Sequence, residues 1–260
     1  MWWYFPVSLV ALLPVRALSA AEPLRLQAEV DGRTRQWLVY APSTAKTAPT
    51  PVVFAFHGHG GNMHNAARVF KLHEHWPEAI IIYPQGLPTA TRRDPQGERA
   101  GWSVRDVTFV DEMLRRLKAD YQVDERRCYC TGHSNGGGFT YILWGLRPQL
   151  WAAVAPSAAN PQAERVGRLQ PLPAMHLAGE QDQIVPFADQ QKTIEAVRQR
   201  NGCAAEGKPW EKYCTVYESK TGTPLVALIH PGNHQFPSSA VPTLVKFFKQ
   251  HTRSAAAAPK

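Results

Sequence analysis

The sequence predicts an α/β fold, a mostly parallel central sheet flanked by helices on both faces, and three observations carry that expectation. Unbroken apolar runs at 51–57 (PVVFAFH), 79–83 (AIIIY), 151–156 (WAAVAP) and 173–178 (PAMHLA) lack the polar alternation of a half-exposed strand, so they read as strands covered on both sides. Segments with apolar residues at helical spacing separate several of them, which is the rhythm of parallel strands joined by helices. A chain of 260 residues, 44% hydrophobic, is also long enough to bury one large core without disulfides. One domain is expected, over residues 22–252.

Residues 1–21 read as an export signal. An apolar stretch ends in the small residues Ala17, Ser19, Ala20 and Ala21, and Pro14 and Arg16 interrupt it too early for a membrane span. The expectation is a secreted protein, extracellular or periplasmic, with no stable membrane span after cleavage. Leu24 to Tyr40 alternates apolar and polar about Asp31-Gly32, the signature of a β-hairpin. Ala41 to Pro51 reads as a loop, and the strand at 51–57 runs into the glycine-rich turn His57-Gly58-His59-Gly60-Gly61. A helix around Asn65 to His75 precedes the AIIIY strand. Pro84 to Gly101, polar and rich in Pro, Gly and Arg, reads as a long exposed loop. Asp106 can then cap a helix carrying Val107, Val110, Leu114, Leu117 and Tyr121 on one stripe.

Cys128 to Thr131 reads as the end of a short buried strand and Phe139 to Leu146 as an apolar helix. After the strands at 151–156 and 173–178 come a helix from about Asp189 to Arg200, strands at Thr215–Glu218 and Pro224–His230, and a closing helix from Pro242 to Gln250. Residues 253–260 are expected to be a disordered tail. Cys128 and Cys130 lie two apart on one strand and point to one face, so they read as core thiols. Cys203 and Cys214 flank a polar loop, where a local disulfide would pin an exported protein.

The formal charge of +8 suits acidic surfaces or acidic polysaccharide, but the 29 Lys and Arg are scattered and form no nucleic-acid arm. Nucleic acid is therefore not an expected partner. His57, His59, His64, His73 and His75 fall in no ligand spacing, so neither a metal nor a cofactor is expected.

The chemistry centres on RCYCTGHSNGGG at 127–138, where Gly132, Ser134 and Gly136 are spaced G-x-S-x-G between a strand and a helix. A serine at the tip of such a turn takes a strained backbone, and the neighbouring chains pass closely only where side chains are missing. The Ser134 hydroxyl is thereby presented to substrate, and the Asn135 N–H sits at the positive end of the following helix. The turn at 57–61 offers a second backbone donor, from His59 or Gly60.

Two partners are needed, because a serine hydroxyl is a weak nucleophile near neutral pH. Asp182 lies in the loop after the 173–178 strand and is favoured over Glu180 and Asp189 as the carboxylate. His234, in PGNHQFP just past the final strand, is favoured over His230, which falls inside it. The order Ser134, Asp182, His234, each following a strand at the carboxyl edge of the sheet, is that of α/β-hydrolases. Trp102, His133 and Phe236 are the candidate substrate contacts, Trp102 having a core position as its other reading.

From Pro51 to Gln250 the sequence resembles secreted esterases of the polyhydroxybutyrate depolymerase and feruloyl esterase type, on the α/β-hydrolase fold. The segments that carry the likeness are HGHGG at 57–61, YPQG at 83–86, GWSVRDVTFV at 101–110, TGHSNGG at 131–137, AAVAP at 152–156, GEQDQIVPF at 179–187, NGC at 201–203 and GNH at 232–234. The resemblance implies Ser134 as nucleophile, Asp182 and His234 as its partners, and oxyanion donors from the 57–61 turn and Asn135. Phe236 stands where the family more often has Trp, which alters the leaving-group side. No room is left for the polymer-binding domain that polyester depolymerases append, so the expected substrate is a small or polysaccharide-attached ester, foremost a feruloyl group on xylan. Short-chain polyester or acetylxylan cleavage, acyl transfer and non-catalytic wall binding are the competing functions.

Overall fold

Alternation in the first segment folds as expected: β1 (Leu24–Val30) and β2 (Arg33–Tyr40) pair antiparallel around Asp31-Gly32. The computed structural model describes residues 23–161 and 163–254, so the expected signal at 1–21 and residues 255–260 of the expected tail lie outside the described residues. Arg253, placed in that tail, is instead held: its N–H donates to the Arg126 carbonyl at 2.9 Å, and the Arg126 guanidinium donates back to its carbonyl.

The continuous apolar runs become buried strands: β3 (Thr50–Phe56), β4 (Ile80–Pro84), β8 (Ala153–Ser157) and β9 (Ala174–Gly179). The two-residue strands β5 (Leu87–Pro88) and β6 (Ala100–Gly101) form a separate ribbon that ties together the base of the loop expected at 84–101. The strand β7 (Val123–His133) is longer than foreseen, because Val123 already pairs with Thr50 ahead of an irregularity that ends where Cys128 pairs with Val52. The strands β10 (Lys208–Pro209), β11 (Cys214–Tyr217) and β12 (Leu225–His230) complete a ten-stranded sheet in the order β1-β2-β4-β3-β7-β8-β9-β12-β11-β10. From β4 to β12 the neighbours are parallel, and antiparallel strands close both edges. This is the α/β-hydrolase fold.

Each central strand sends alternate side chains to opposite faces, so both need cover. One face takes Val52, Phe54 and Phe56 under α3 (Val107–Asp120), α4 (Asn135–Leu146), α5 (Ala163–Gly167) and α6 (Phe187–Arg200). The other takes Val53 and Ala55 under α1 (Met63–Phe70), α2 (Leu72–His75) and α7 (Val241–Lys249). The single helix expected around 65–75 is thus two, broken at Lys71, whose φ of 47° is left-handed. Asp106 makes no cap bond to α3. It is buried, paired with Arg35 at 2.8 Å, and accepts the Ser103 N–H.

The expected Cys203–Cys214 disulfide is absent, and both thiols are free. They lie on opposite sides of the sheet: Cys214 is buried in the α1/α7 layer, whereas Cys203 packs on the α6 layer with its thiol directed at the Thr223 carbonyl. The sheet itself separates them. Cys128 and Cys130 share one core face, as their spacing requires.

Candidate active site

Ser134 sits between β7 and α4 with φ 57° and ψ −119°, a conformation that costs a non-glycine residue about 1–3 kcal/mol. Gly132 and Gly136 allow it. A Cβ on Gly132 would overlap the Gly136 carbonyl, and one on Gly136 would overlap the Phe56 carbonyl at the end of β3. The Ser134 N–H is fixed by the Ser157 carbonyl of β8 at 2.9 Å.

The loops after β7, β9 and β12 bring Ser134, Asp182 and His234 together across 100 residues of sequence. Ser134 Oγ lies 2.8 Å from His234 Nε2, and His234 Nδ1 lies 2.8 Å from Asp182 Oδ2. With the carboxylate as acceptor, Nδ1 carries the proton and Nε2 is free to receive that of the hydroxyl. Asp182 is buried and saturated: Oδ1 accepts the Ile184 and Val185 N–H groups, each at 2.9 Å, and Oδ2 also accepts Gln190 Nε2 at 3.0 Å. Its rivals do not bond to His234: Asp189 pairs with Lys192 on α6 and Glu180 is exposed. His230 remains within β12 and accepts the Gly232 N–H on its ring.

Of the two expected donors in the 57–61 turn, Gly60 is occupied, since its N–H donates to the Ala100 carbonyl at 2.7 Å. The His59 N–H has no acceptor among the described residues, and neither has that of Asn135 at the first turn of α4. The second of these, at a helix N-terminus, favours developing negative charge. His57 supports the turn rather than lining it. Its Nδ1–H donates to the Gly58 carbonyl and Nε2 accepts the Gly86 N–H, while burial pushes its pKa down to about 4.

Trp102, expected among the substrate contacts, is a buried brace. Its indole N–H donates to the His57 carbonyl at 2.9 Å and its backbone exchanges two hydrogen bonds with the Asn135 amide. Burial wins because the ring stacks on Phe139 and meets Phe56 edge-on. His133 and Phe236 do border a cavity of about 810 Å³ on one side of His234. The polar atoms of His133 are nevertheless engaged: Nε2–H donates to the His234 carbonyl at 2.6 Å and Nδ1 accepts the Ser157 hydroxyl. Burial, then the neighbouring His234, lowers its pKa to about 4. A second cavity, about 840 Å³, opens on the other side, over Ser134, Asn135 and His59.

Gln190 and Ser157 escaped the sequence reading. Gln190 left a trace there, as a polar residue on the stripe Gln190, Ile194, Val197 that α6 buries. Ser157 left none, since its role depends on a contact 24 residues away.

A buried carboxylate, an imidazole of fixed tautomer, a strained serine and two free N–H groups can together carry out acyl transfer through a covalent intermediate. No protein-family model matches the chain. A probable feruloyl esterase C of Aspergillus clavatus is 30% identical over 160 residues, 58% of this chain and 56% of the relative. A bifunctional acetylxylan esterase/xylanase of Neocallimastix patriciarum is 26% identical over 190 residues, 70% of this chain and 26% of the relative. The chain thus spans little more than half the length of the first and about a quarter of the second. Among solved structures, a ferulic acid esterase superposes with a TM-score of 0.67 at 14% identity, covering 88% of this chain and 97% of the other. An acetyl xylan esterase from Aspergillus awamori gives 0.67 at 12% identity, covering 88% and 99%. The chain is similar to feruloyl and acetylxylan esterases in sequence and shares their fold. Likeness to polyhydroxybutyrate depolymerases rests on the motifs alone.

Proposed function

We propose that the chain is a secreted serine carboxylic ester hydrolase acting through an acyl-enzyme, with a hydroxycinnamoyl ester of plant cell-wall polysaccharide as its foremost substrate. The observation that carries the reading is the unbroken relay from Ser134 Oγ through His234 to Asp182, both steps at 2.8 Å. Ser134 Oγ adds to the ester carbonyl as its proton passes to His234 Nε2. The oxyanion is met by the His59 and Asn135 N–H groups, and the proton is returned to the departing alcohol. Water then repeats the sequence on the acyl-enzyme and releases the acid, while Asp182 stabilises the imidazolium each time it forms.

Export is supported by the apolar run that ends in Ala17, Ser19, Ala20 and Ala21. The acetylxylan relative favours a second reading, an acetyl ester of the same polymer. Both are tested by mass spectrometry after brief exposure to methyl ferulate and to 4-nitrophenyl acetate. A feruloyl or acetyl adduct on the peptide holding Ser134, absent from Ser134→Ala, is expected; turnover without any adduct on that peptide would remove the acyl-enzyme.

A further inference from the structure

The cavity of about 840 Å³ beside the serine has a charge that a neutral aromatic acyl group does not call for. Arg92, Arg93 and Arg99 all line it, together with Ser134, Asn135 and His234. They stand on the segment between β5 and β6, which is locally ordered: Thr91 and Asp94 exchange backbone hydrogen bonds at 2.9 and 3.1 Å. Arg99 lies over the oxyanion turn, its side chain within van der Waals reach of the Gly60 α-carbon's open side. Arg93 reaches the opposite wall, where its guanidinium donates to the Ile184 carbonyl at 3.3 Å.

Among the described residues no carboxylate is bound to any of the three guanidiniums. The Asp94 carboxylate is taken by the Glu98 N–H at 3.2 Å, the Arg99 N–H at 2.9 Å and His59 Nε2 at 3.0 Å. Asp189, the carboxylate among the lining residues, pairs with Lys192 at 2.9 Å. Among the described residues none of the three guanidiniums makes an ion pair, whereas Arg35, Arg127, Arg147 and Arg198 each do. Three permanently charged side chains thus line one cavity together with the reacting serine. Guanidinium is the side chain that binds carboxylate in a paired, directional way, and a concave wall of one sign concentrates its counter-ion.

We propose that this cavity takes an ester whose body carries a free carboxylate, and that Arg92, Arg93 and Arg99 select it over neutral esters. The inference rests on the esterase reading of Ser134 and deepens it. The carboxylate can belong to the acyl half, as in a half-ester of a dicarboxylic acid, or to the alcohol half, as in an esterified acidic saccharide.

Two substrate pairs separate these sources, each corrected for its rate of alkaline hydrolysis. Mono-4-nitrophenyl glutarate against 4-nitrophenyl valerate reports the acyl half; 4-carboxyphenyl butyrate against phenyl butyrate reports the alcohol half. In one pair the anionic member is expected to have a kcat/KM about tenfold or more above its neutral partner, a preference that shrinks in about 0.5 M NaCl. In Arg92→Gln/Arg93→Gln/Arg99→Gln, and in part in each single variant, the ratio falls toward one. A ratio near one in both pairs, with the neutral esters turned over, overturns the inference and leaves the esterase standing. A preference that survives the triple variant overturns it too, by placing the selection elsewhere. If no ester is cleaved and Ser134 stays unlabelled by a fluorophosphonate, the esterase reading and this inference fall together.

Discussion

Replacing Asp182 by Asn isolates the electrostatic half of the relay, because the side chains are isosteric and only one polar atom changes character. Oδ1 accepts two backbone N–H groups from Ile184 and Val185, so the amide oxygen must stay there. The new NH₂ then occupies the Oδ2 position and faces two donors, His234 Nδ1–H at 2.8 Å and Gln190 Nε2 at 3.0 Å. His234 can relieve its side of the clash only by moving its proton to Nε2. That tautomer presents N–H to Ser134 Oγ and cannot accept the hydroxyl proton. A wrong tautomer of this kind costs about 10⁴-fold in kcat, roughly 5 kcal/mol of transition-state stabilisation. The orphaned Gln190 donor costs stability as well, about 1–3 kcal/mol for a buried group. Asp182→Asn should therefore fold with a lowered Tm, hydrolyse 4-nitrophenyl acetate about 10³- to 10⁴-fold more slowly, and react with a fluorophosphonate at a similarly reduced rate. Glu180→Gln should stay within about twofold of the unmodified protein. Activity of Asp182→Asn within tenfold of the parent would refute the assignment of the acid.

Gly136→Ala places a methyl group against the Phe56 and His57 carbonyls, so it should abolish hydrolysis and lower Tm by several degrees; a soluble, active variant would show that β3 and α4 can separate. Burial lowers the pKa of His57, His133 and His176 from 6.5 to about 4, so the unfolded chain binds more protons than the folded one throughout that interval. Stability is then full above about 6.5 and lost as the pH falls toward 4, and the urea midpoint should drop between pH 7 and pH 5; an unchanged midpoint would mean that these rings are hydrated. Denatured without reductant, the protein should titrate four free thiols, whereas two would restore a disulfide between Cys203 and Cys214.

Features encoded in one local run of sequence were legible, and those made by register or by distant contacts were not. The strands at 50–56, 80–84, 153–157 and 174–179 announce themselves because burial on both faces leaves no polar alternation. The serine turn is legible for a similar reason, its steric demand falling on residues two positions either side. Cys203 and Cys214 were misread because loop length says nothing about sides, and β11, at four residues, is too short to reveal which face Cys214 takes. Trp102 was ambiguous because its partners are His57 and Asn135, 45 and 33 residues away. Arginines at 92, 93 and 99 look like ordinary loop residues until the ribbon at their base folds them over the serine.

The environment of the acid extends deeper than the triad, and its hydrogen bonds have a direction. Gln190 Nε2 faces two acceptors, Asp182 Oδ2 and the Val185 carbonyl, so its Oε1 is left facing His176 Nε2 at 3.5 Å. His176 therefore carries its proton on Nε2, and its Nδ1 accepts the Tyr141 hydroxyl at 2.8 Å. Burial favours the neutral forms of both Tyr141 and His176, raising the pKa of the first and lowering that of the second, so the chain ends without a charge. The Asp182 carboxylate and the Val185 carbonyl thus set the orientation of one amide, and a histidine on β9 and a phenol on α4 take the tautomer and donor role that it requires. Neutral buried polar groups of this sort supply donors without adding a second charge beside Asp182. A carboxylate can therefore stay buried at the centre of the sheet's carboxyl edge and still direct the imidazole that faces the serine.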